Sequence, residues 1–163
     1  MLQPLVKAAA LLAFLSCSAL AQTGAALTGD VILTVSNTPA GEVPLDLALL
    51  EEMGSETIET STIWTEGVQS FEGVPLHVLV ERLGIDGEAL KATAINDYAV
   101  DIPAEDAVAG GPIIAYRLNG ELMSVRDKGP LWLVYPYDKA PEFQTEVIYA
   151  RSIWQLDRLE VAE

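Results

Sequence analysis

The chain has 163 residues, of which 24 are acidic and nine are basic, and its formal net charge is −15. This excess of acid argues against nucleic-acid binding, because a phosphate backbone is bound by a basic surface. The length is enough for one domain of ordinary size. Apart from the apolar run near the N-terminus, no long apolar stretch predicts insertion into a membrane.

The first 21 residues are expected to be a secretory signal peptide. Lys7 precedes a short apolar run, and Ala19-Leu20-Ala21 fits a small-x-small cleavage site. A lipoprotein anchored at Cys17 is the alternative, although the residues before it match a lipobox poorly. Cleavage would leave residues 22–163 as a single soluble domain in the periplasm. That domain would contain no cysteine, and hence no disulfide or thiolate metal ligand.

The elements predicted in chain order are mostly strands. Runs of β-branched and apolar residues between turn residues predict strands at 31–35, 56–63, 90–95, 98–102, 113–118, 121–125, 131–135 and 153–161. Two short helices are predicted at 45–53 and 75–83, and Asn119-Gly120 predicts a hairpin. The segment 140–146 is expected to be irregular. This pattern indicates an α+β fold that is mainly β, with a mixed or antiparallel sheet and short helices.

One charged turn leads into a strong strand signal. Arg126 and Lys128 flank Asp127, and the apolar and aromatic run that follows Gly129-Pro130 is typical of a buried strand. A charged loop on a rigid strand is a common way to present a binding site, and a solvated hairpin turn is the alternative. Most of the basic residues also lie in this last third of the chain.

Several segments together resemble the sulfite-oxidase-type molybdopterin-binding domain. The run Phe71-Glu72-Gly73-Val74-Pro75-Leu76 resembles its GVPL segment, and Asn96-Asp97-Tyr98 resembles its pterin-facing loop. Residues 129–136 resemble its GGPLRLVVP strand, and residues 154–161 resemble its closing strand. The resemblance covers nearly all of residues 27–161 and implies the fold of that family.

One departure bears on the function that the resemblance implies. In catalytic members of the family, a cysteine at the end of the strand before the GVPL helix binds molybdenum. The corresponding region here is Thr60-Ser61-Thr62-Ile63-Trp64, and hydroxyls are poor substitutes for a soft thiolate. The resemblance therefore implies a non-catalytic branch, whose short exported members bind a reduced pterin without a metal and signal to a membrane diguanylate cyclase or phosphodiesterase.

A pterin requires a stacking face, a carboxylate for its amino-pyrimidine edge and donors for its carbonyl. Trp64 is expected to stack or to lie in the core. Asp97, between Asn96 and Tyr98, is expected to accept donors from the pterin or to form an ordinary turn. Arg126 and Lys128 are expected to donate to the ligand or to pair with neighbouring acids. The resemblance implies that these loops converge, with Asp97 and Arg126 inside a cleft walled by Trp64.

No catalytic or metal-binding set is recognised in the sequence, because His77 is the only histidine and the mature chain has no thiol. Two alternatives to pterin binding remain open. One is a molybdopterin-dependent oxidoreductase or its subunit, and the other is a structural or interaction protein without a small ligand.

Overall fold

The computed structural model describes residues 26–162, so the signal-peptide prediction lies outside the described residues. Within this range the strands are β1 (Leu33–Thr38), β2 (Gly41–Leu45), β3 (Glu56–Ser61), β4 (Val68–Pro75), β5 (Ala89–Ala94), β6 (Ala99–Pro103), β7 (Ile113–Leu118), β8 (Glu121–Leu122), β9 (Trp132–Val134) and β10 (Leu156–Ala162). The helices are α1 (Leu47–Glu52), α2 (Leu76–Arg82) and α3 (Glu146–Arg151). Short 3₁₀ turns occupy several of the connections.

The strands form two sheets. The first has the order β2-β1-β10-β5-β6 and is mixed, because β1 and β10 run parallel while the other neighbours run antiparallel. The second is antiparallel and has the order β3-β4-β7, with β8 and β9 pairing with successive segments of β7. A mainly β fold with mixed and antiparallel sheets and short helices confirms the predicted fold class. None of the helices within residues 26–162 has the length and apolarity needed to cross a membrane.

The core lies on the inner faces of the strands. In β1 the buried side chains alternate, with Leu33 and Val35 inside, as expected for a strand with one solvated face. All three residues of β9, from Trp132 to Val134, are buried, which explains the continuous apolar run in the sequence. The hydrophobic effect on these faces is the main stabilising contribution to the fold.

The GVPL segment is constrained by a close contact between strands. A Cβ atom at Gly73 would overlap the backbone carbonyl of Ile114 on the neighbouring strand β7. Pro75 follows with a φ of −60° and precedes α2, whose residues Leu76 and Leu79 are buried in the core. Glycine, proline and leucine therefore each meet a local steric or packing requirement.

The Asp46 carboxylate joins the beginning of the described chain to α1. It accepts hydrogen bonds from the N–H groups of Thr28 at 2.6 Å, Gly29 at 2.8 Å and Leu49 at 2.9 Å. The last of these caps the helix. Hydrogen bonds from these backbone groups, led by the one from Leu49, lower the pKa of Asp46 to about 2.

The structure differs from the sequence predictions in three places. Residues 71–74, for which no strand was predicted, belong to β4, and the expected strand at 121–125 ends at Leu122. Helix α3 follows the segment that was expected to be irregular; it begins after Thr145, whose hydroxyl accepts from the N–H of Ile148. A six-residue helix is too short to show a helical period, so its cap is the main local signal.

The segment 153–156 connects the two sheets. The N–H of Leu133 donates to the carbonyl of Ile153 at 2.9 Å, and the N–H of Leu156 donates to Leu131 at 3.0 Å. On its other side, the carbonyl of Gln155 accepts from the N–H of Ile95 at 2.9 Å. The chain between α3 and β10 therefore lies at the junction of the two sheets. The β5–β6 turn and the β3–β4 loop, which contains Trp64, lie at the same junction.

Candidate functional site

A cavity of about 360 Å³ lies at this junction, and four aromatic rings line it. We call it the aromatic cavity; its rings are those of Trp64, Tyr98, Tyr149 and Trp154. They come from the β3–β4 loop, the β5–β6 turn, α3 and the segment before β10. This volume and this lining suit a small flat molecule that stacks on aromatic side chains.

Trp64 is fixed by packing as well as lining the aromatic cavity. Its ring makes edge contacts with Trp154, Trp132 and Tyr149 at centroid distances of 5.5, 5.8 and 5.8 Å. Its backbone N–H donates to the Thr62 hydroxyl at 3.0 Å. This half-buried side chain therefore packs against the aromatic core and also presents part of its surface to the cavity, and its stacking on a ligand stays a prediction.

A second layer of aromatic residues supports the first. The indole of Trp132 donates to the carbonyl of Ser152 at 3.2 Å, and the Tyr137 hydroxyl donates to Ser152 Oγ at 2.7 Å. Ser152 in turn donates to the carbonyl of Ile148 at 2.7 Å. Burial raises the pKa of Tyr137 to about 12, so its hydroxyl remains protonated as a donor. These bonds hold α3 against the aromatic cluster.

Two amide side chains contribute polar groups to the aromatic cavity. Asn96 lines it from the β5–β6 turn, and its Oδ1 accepts from the N–H of Tyr98 at 3.2 Å. Gln155 lines it from the segment before β10, and its Nε2 donates to the carbonyl of Val125 at 2.7 Å. The site therefore combines an apolar stacking surface with a few oriented polar groups, which is typical of a small-molecule site.

Lys128 lies beside the aromatic cavity. Its backbone is left-handed, with a φ of 72°, and its carbonyl accepts from the N–H of Gln155 at 3.0 Å. The ammonium nitrogen lies 5.5 Å from the Trp154 ring centroid and 5.8 Å from that of Trp132. These are cation–π distances, so the ammonium places a positive charge next to the stacking surface.

The expectation that Asp97 and Arg126 lie inside the same cleft does not hold, because neither is among the residues that line the aromatic cavity. Asp97 has a left-handed backbone, with a φ of 66°, and its carboxylate forms an ion pair with the Arg158 guanidinium at 2.8 Å. Asp97 and Arg158 instead line a second cavity, of about 370 Å³, which is formed mainly by polar residues of the first sheet. The Arg126 side chain is exposed on its 3₁₀ turn.

The segment that the resemblance assigns to the molybdenum ligand carries hydroxyl groups that have hydrogen-bond partners. Thr60 Oγ1 donates to the Ser61 carbonyl at 3.3 Å and accepts from the N–H of Asp138 at 3.1 Å. The backbone N–H and the hydroxyl of Ser61 both donate to the Asp138 carboxylate at 2.6 Å. These bonds, chiefly the one from the hydroxyl, lower the pKa of Asp138. Within residues 26–162, no group of three or more histidine, cysteine, aspartate or glutamate side chains is placed to hold a metal ion. The donors of this loop do not fit molybdenum.

The sequence gives no site prediction for several residues that line the aromatic cavity, among them Tyr149, Trp154 and Gln155. Tyr149 lies on the helix that was not predicted. Trp154 was placed inside a predicted strand, although it is an isolated bridge residue that pairs with Trp132. The Thr145 cap of α3 was the available signal for Tyr149.

Comparisons with known proteins agree with this architecture. The model of the oxidoreductase molybdopterin binding domain matches residues 34–140. Among solved structures, the chain is similar to the sulfane dehydrogenase SoxCD from Paracoccus pantotrophus, with 20% sequence identity and a TM-score of 0.56. The match covers 80% of this chain and 37% of the SoxCD chain, so the likeness concerns the fold of one part of that protein. No curated protein matches the sequence.

Proposed function

Because the chain belongs to the oxidoreductase molybdopterin binding domain family, we propose that it binds the pterin ring of a small reduced pterin, without molybdenum, in the aromatic cavity. The observation that carries the proposal is the lining of that cavity by four aromatic rings. A bicyclic heteroaromatic ring presents a flat face that stacks on such side chains. Trp64 and Trp154 would supply stacking surface, and Asn96 and Gln155 would contact the polar edge.

The absence of a thiolate supports a metal-free ligand. The only cysteine in the sequence is Cys17, within the expected signal peptide. The hydroxyls of Thr60 and Ser61 already have hydrogen-bond partners, so they are not poised to bind a metal. We therefore propose a binding function in which the protein orients the pterin and shields it from water, with no redox step of its own.

Calorimetric titration of tetrahydropterin under anaerobic conditions tests this proposal. We expect saturable binding by the parent protein, weakened roughly tenfold by Trp154→Ala, since one stacking contact is worth about 0.5–1.5 kcal/mol. The matched control is Leu122→Ala, which alters an exposed side chain on β8 and should leave the dissociation constant unchanged. A parent protein that does not bind tetrahydropterin would contradict the proposal.

Family membership favours one other function, that of a molybdopterin-dependent oxidoreductase or of its subunit. Metal analysis of the purified protein separates the two functions. Stoichiometric molybdenum, with turnover of an oxidisable substrate that scales with the metal content, would favour the oxidoreductase. Tetrahydropterin binding by protein without molybdenum would favour the proposal above.

We also propose that the protein acts in the periplasm after cleavage near Ala21 and Gln22. The charged, apolar and small-residue parts of residues 1–21 support this location. N-terminal sequencing of exported protein should give Gln22 as the first residue. A mature protein that begins at a lipidated Cys17 would contradict cleavage at this site.

The proposed partner is the periplasmic domain of a membrane diguanylate cyclase or phosphodiesterase. The net charge of −15 supports a partner with a basic docking surface. Crosslinking of the protein to such a purified domain, with and without tetrahydropterin, tests the pairing. We expect the yield of crosslinked complex to depend on the ligand, and a yield that is equally low in both samples would remove this partner.

A further inference from the structure

The two amides in the aromatic cavity have orientations that their backbone partners determine. The N–H of Tyr98 can only donate, so the atom of Asn96 that faces it must be the carbonyl oxygen. The carbonyl of Val125 can only accept, so the atom of Gln155 that faces it must be the amide nitrogen. Each side chain therefore has one atom bound to the protein and one atom remaining.

The remaining atoms have opposite polarity. Among residues 26–162, no other residue hydrogen-bonds to Asn96 Nδ2, which is a donor, or to Gln155 Oε1, which is an acceptor. Asn96 is exposed and Gln155 is half-buried, so these atoms are open to solvent or to a ligand. Tyrosine hydroxyls at the same site rotate and serve as donor or acceptor, so they impose no fixed polarity on a ligand. Asn96 and Gln155 are thus the groups that select the hydrogen-bonding pattern of a ligand edge.

A backbone hydrogen bond joins the two segments that carry these amides. Ile95, which precedes Asn96, donates its N–H to the carbonyl of Gln155 at 2.9 Å. Gln155 is further fixed by its own N–H bond to Lys128 and has a left-handed φ of 53°. A non-glycine residue kept in this strained conformation beside a cavity is typical of a functional site.

From this arrangement we infer that Asn96 and Gln155 read the lactam edge of the ligand. A lactam places a ring N–H next to a carbonyl, which matches Gln155 Oε1 as the acceptor and Asn96 Nδ2 as the donor. The ligand class is therefore a flat bicyclic heterocycle with a ring lactam, such as a pterin or a lumazine. This inference rests on the proposed function, and it assigns recognition to the lactam edge rather than to the amino group next to it.

Three probes of the same shape distinguish these edges. Tetrahydropterin and tetrahydrolumazine share the lactam, whereas the diamino analogue of tetrahydropterin has an amino group in place of the ring carbonyl. We expect the first two to bind with similar affinity. The diamino analogue should bind roughly tenfold more weakly, because its amino group meets the Asn96 donor and its adjacent ring nitrogen, which carries no hydrogen, meets the Gln155 acceptor.

The substitution Asn96→Asp reverses the polarity of one of the two ligand-facing groups, because it replaces the Asn96 donor with an acceptor. The carboxylate keeps an oxygen for the N–H of Tyr98 and replaces the Nδ2 donor with a second acceptor. We expect this variant to bind tetrahydropterin roughly tenfold more weakly and to prefer the diamino analogue, whose amino group donates to the carboxylate. The control is Asn119→Asp, which makes the same change in charge at the β7–β8 turn and should keep the parental order of affinities.

Calorimetric titration of the three probes into the parent and the two variants gives separable outcomes. Selection against the diamino analogue, reversed only in Asn96→Asp, is the expected result. Equal affinity of the parent for tetrahydropterin and the diamino analogue would overturn the lactam inference while leaving pterin binding intact. Binding of none of the probes would overturn the proposed function together with this inference.

Discussion

The β5–β6 and β7–β8 turns both contain an asparagine, and they use it differently. At the β7–β8 turn, Asn119 donates its side-chain amide to Gln69 at 2.7 Å and accepts from the N–H of Ser70 at 3.0 Å. Its backbone N–H also donates to the carbonyl of Ser70 at 2.7 Å. Both ends of this side chain are bonded to β4, so the turn holds two strands together.

At the β5–β6 turn, the one hydrogen bond of the Asn96 side chain within the described part of the chain is to Tyr98, two positions on, and both residues line the aromatic cavity. The same residue type in a similar local sequence therefore serves the fold at one turn and is available to a ligand at the other. The difference lies in whether a neighbouring strand provides partners for both ends of the amide. An asparagine with a remaining donor beside a cavity is the more informative sign of function.

The largest expected effect belongs to the aromatic residue that serves both fold and site. Trp64→Ala should lower the free energy of unfolding by about 3 kcal/mol, because it removes a half-buried ring with four aromatic neighbours. It should also abolish measurable tetrahydropterin binding. Urea unfolding and calorimetry measure the two effects. Normal affinity in a folded Trp64→Ala protein would show that the ligand does not stack there.

The next effect separates the two turns. Asn119→Ala should lower the free energy of unfolding by about 1–2 kcal/mol, because it removes two side-chain bonds and places alanine at a φ of 52°. Tetrahydropterin affinity should be unchanged. Parental stability in this variant, or a loss of tetrahydropterin affinity while it is still folded, would contradict the proposed difference between the two turns.

The sequence predicted the local features more fully than the site. The Asn119-Gly120 hairpin follows from two neighbouring residues and is confirmed. The direction of Asp97 was missed because it is set by Arg158, which lies 61 positions away and pairs with it outside the aromatic cavity. Local spacing carries no information on such a partner, and the same limit applies to the packing of Trp154 on Trp64.

A smaller and pH-dependent effect is expected at Asp46, whose two carboxylate oxygens both accept hydrogen bonds. Asp46 in the folded protein has a pKa of about 2, below the usual aspartate value near 3.9. Its stabilising contribution is therefore complete above about pH 4 and is lost as the pH falls through the folded-state value. Asp46→Asn should lower the Tm by a few degrees at neutral pH, and the difference from the parent should shrink toward pH 2. The exposed substitution Asp86→Asn controls for net charge, and a pH-independent difference for Asp46→Asn would contradict this account.

The smallest effect concerns the residue next to Asn96 in the same turn. Asp97→Asn keeps a side chain that tolerates the left-handed backbone and removes an exposed ion pair with Arg158, worth about 0–1 kcal/mol. We expect almost no change in stability or in the calorimetric affinity for tetrahydropterin. A clear loss of affinity would instead support the expectation from the sequence that Asp97 contacts the ligand.

The most direct test of the central claim is a titration of tetrahydropterin into ¹⁵N-labelled protein, followed by amide chemical shifts. The amides of Tyr98 and Gln155, which flank the aromatic cavity, should shift with a common saturation curve. The amides of Ser70 and Asn119 at the other turn should not move. Shifts confined to the β7–β8 turn, or no saturable shift at Tyr98 and Gln155, would contradict the assignment of the aromatic cavity as a pterin site.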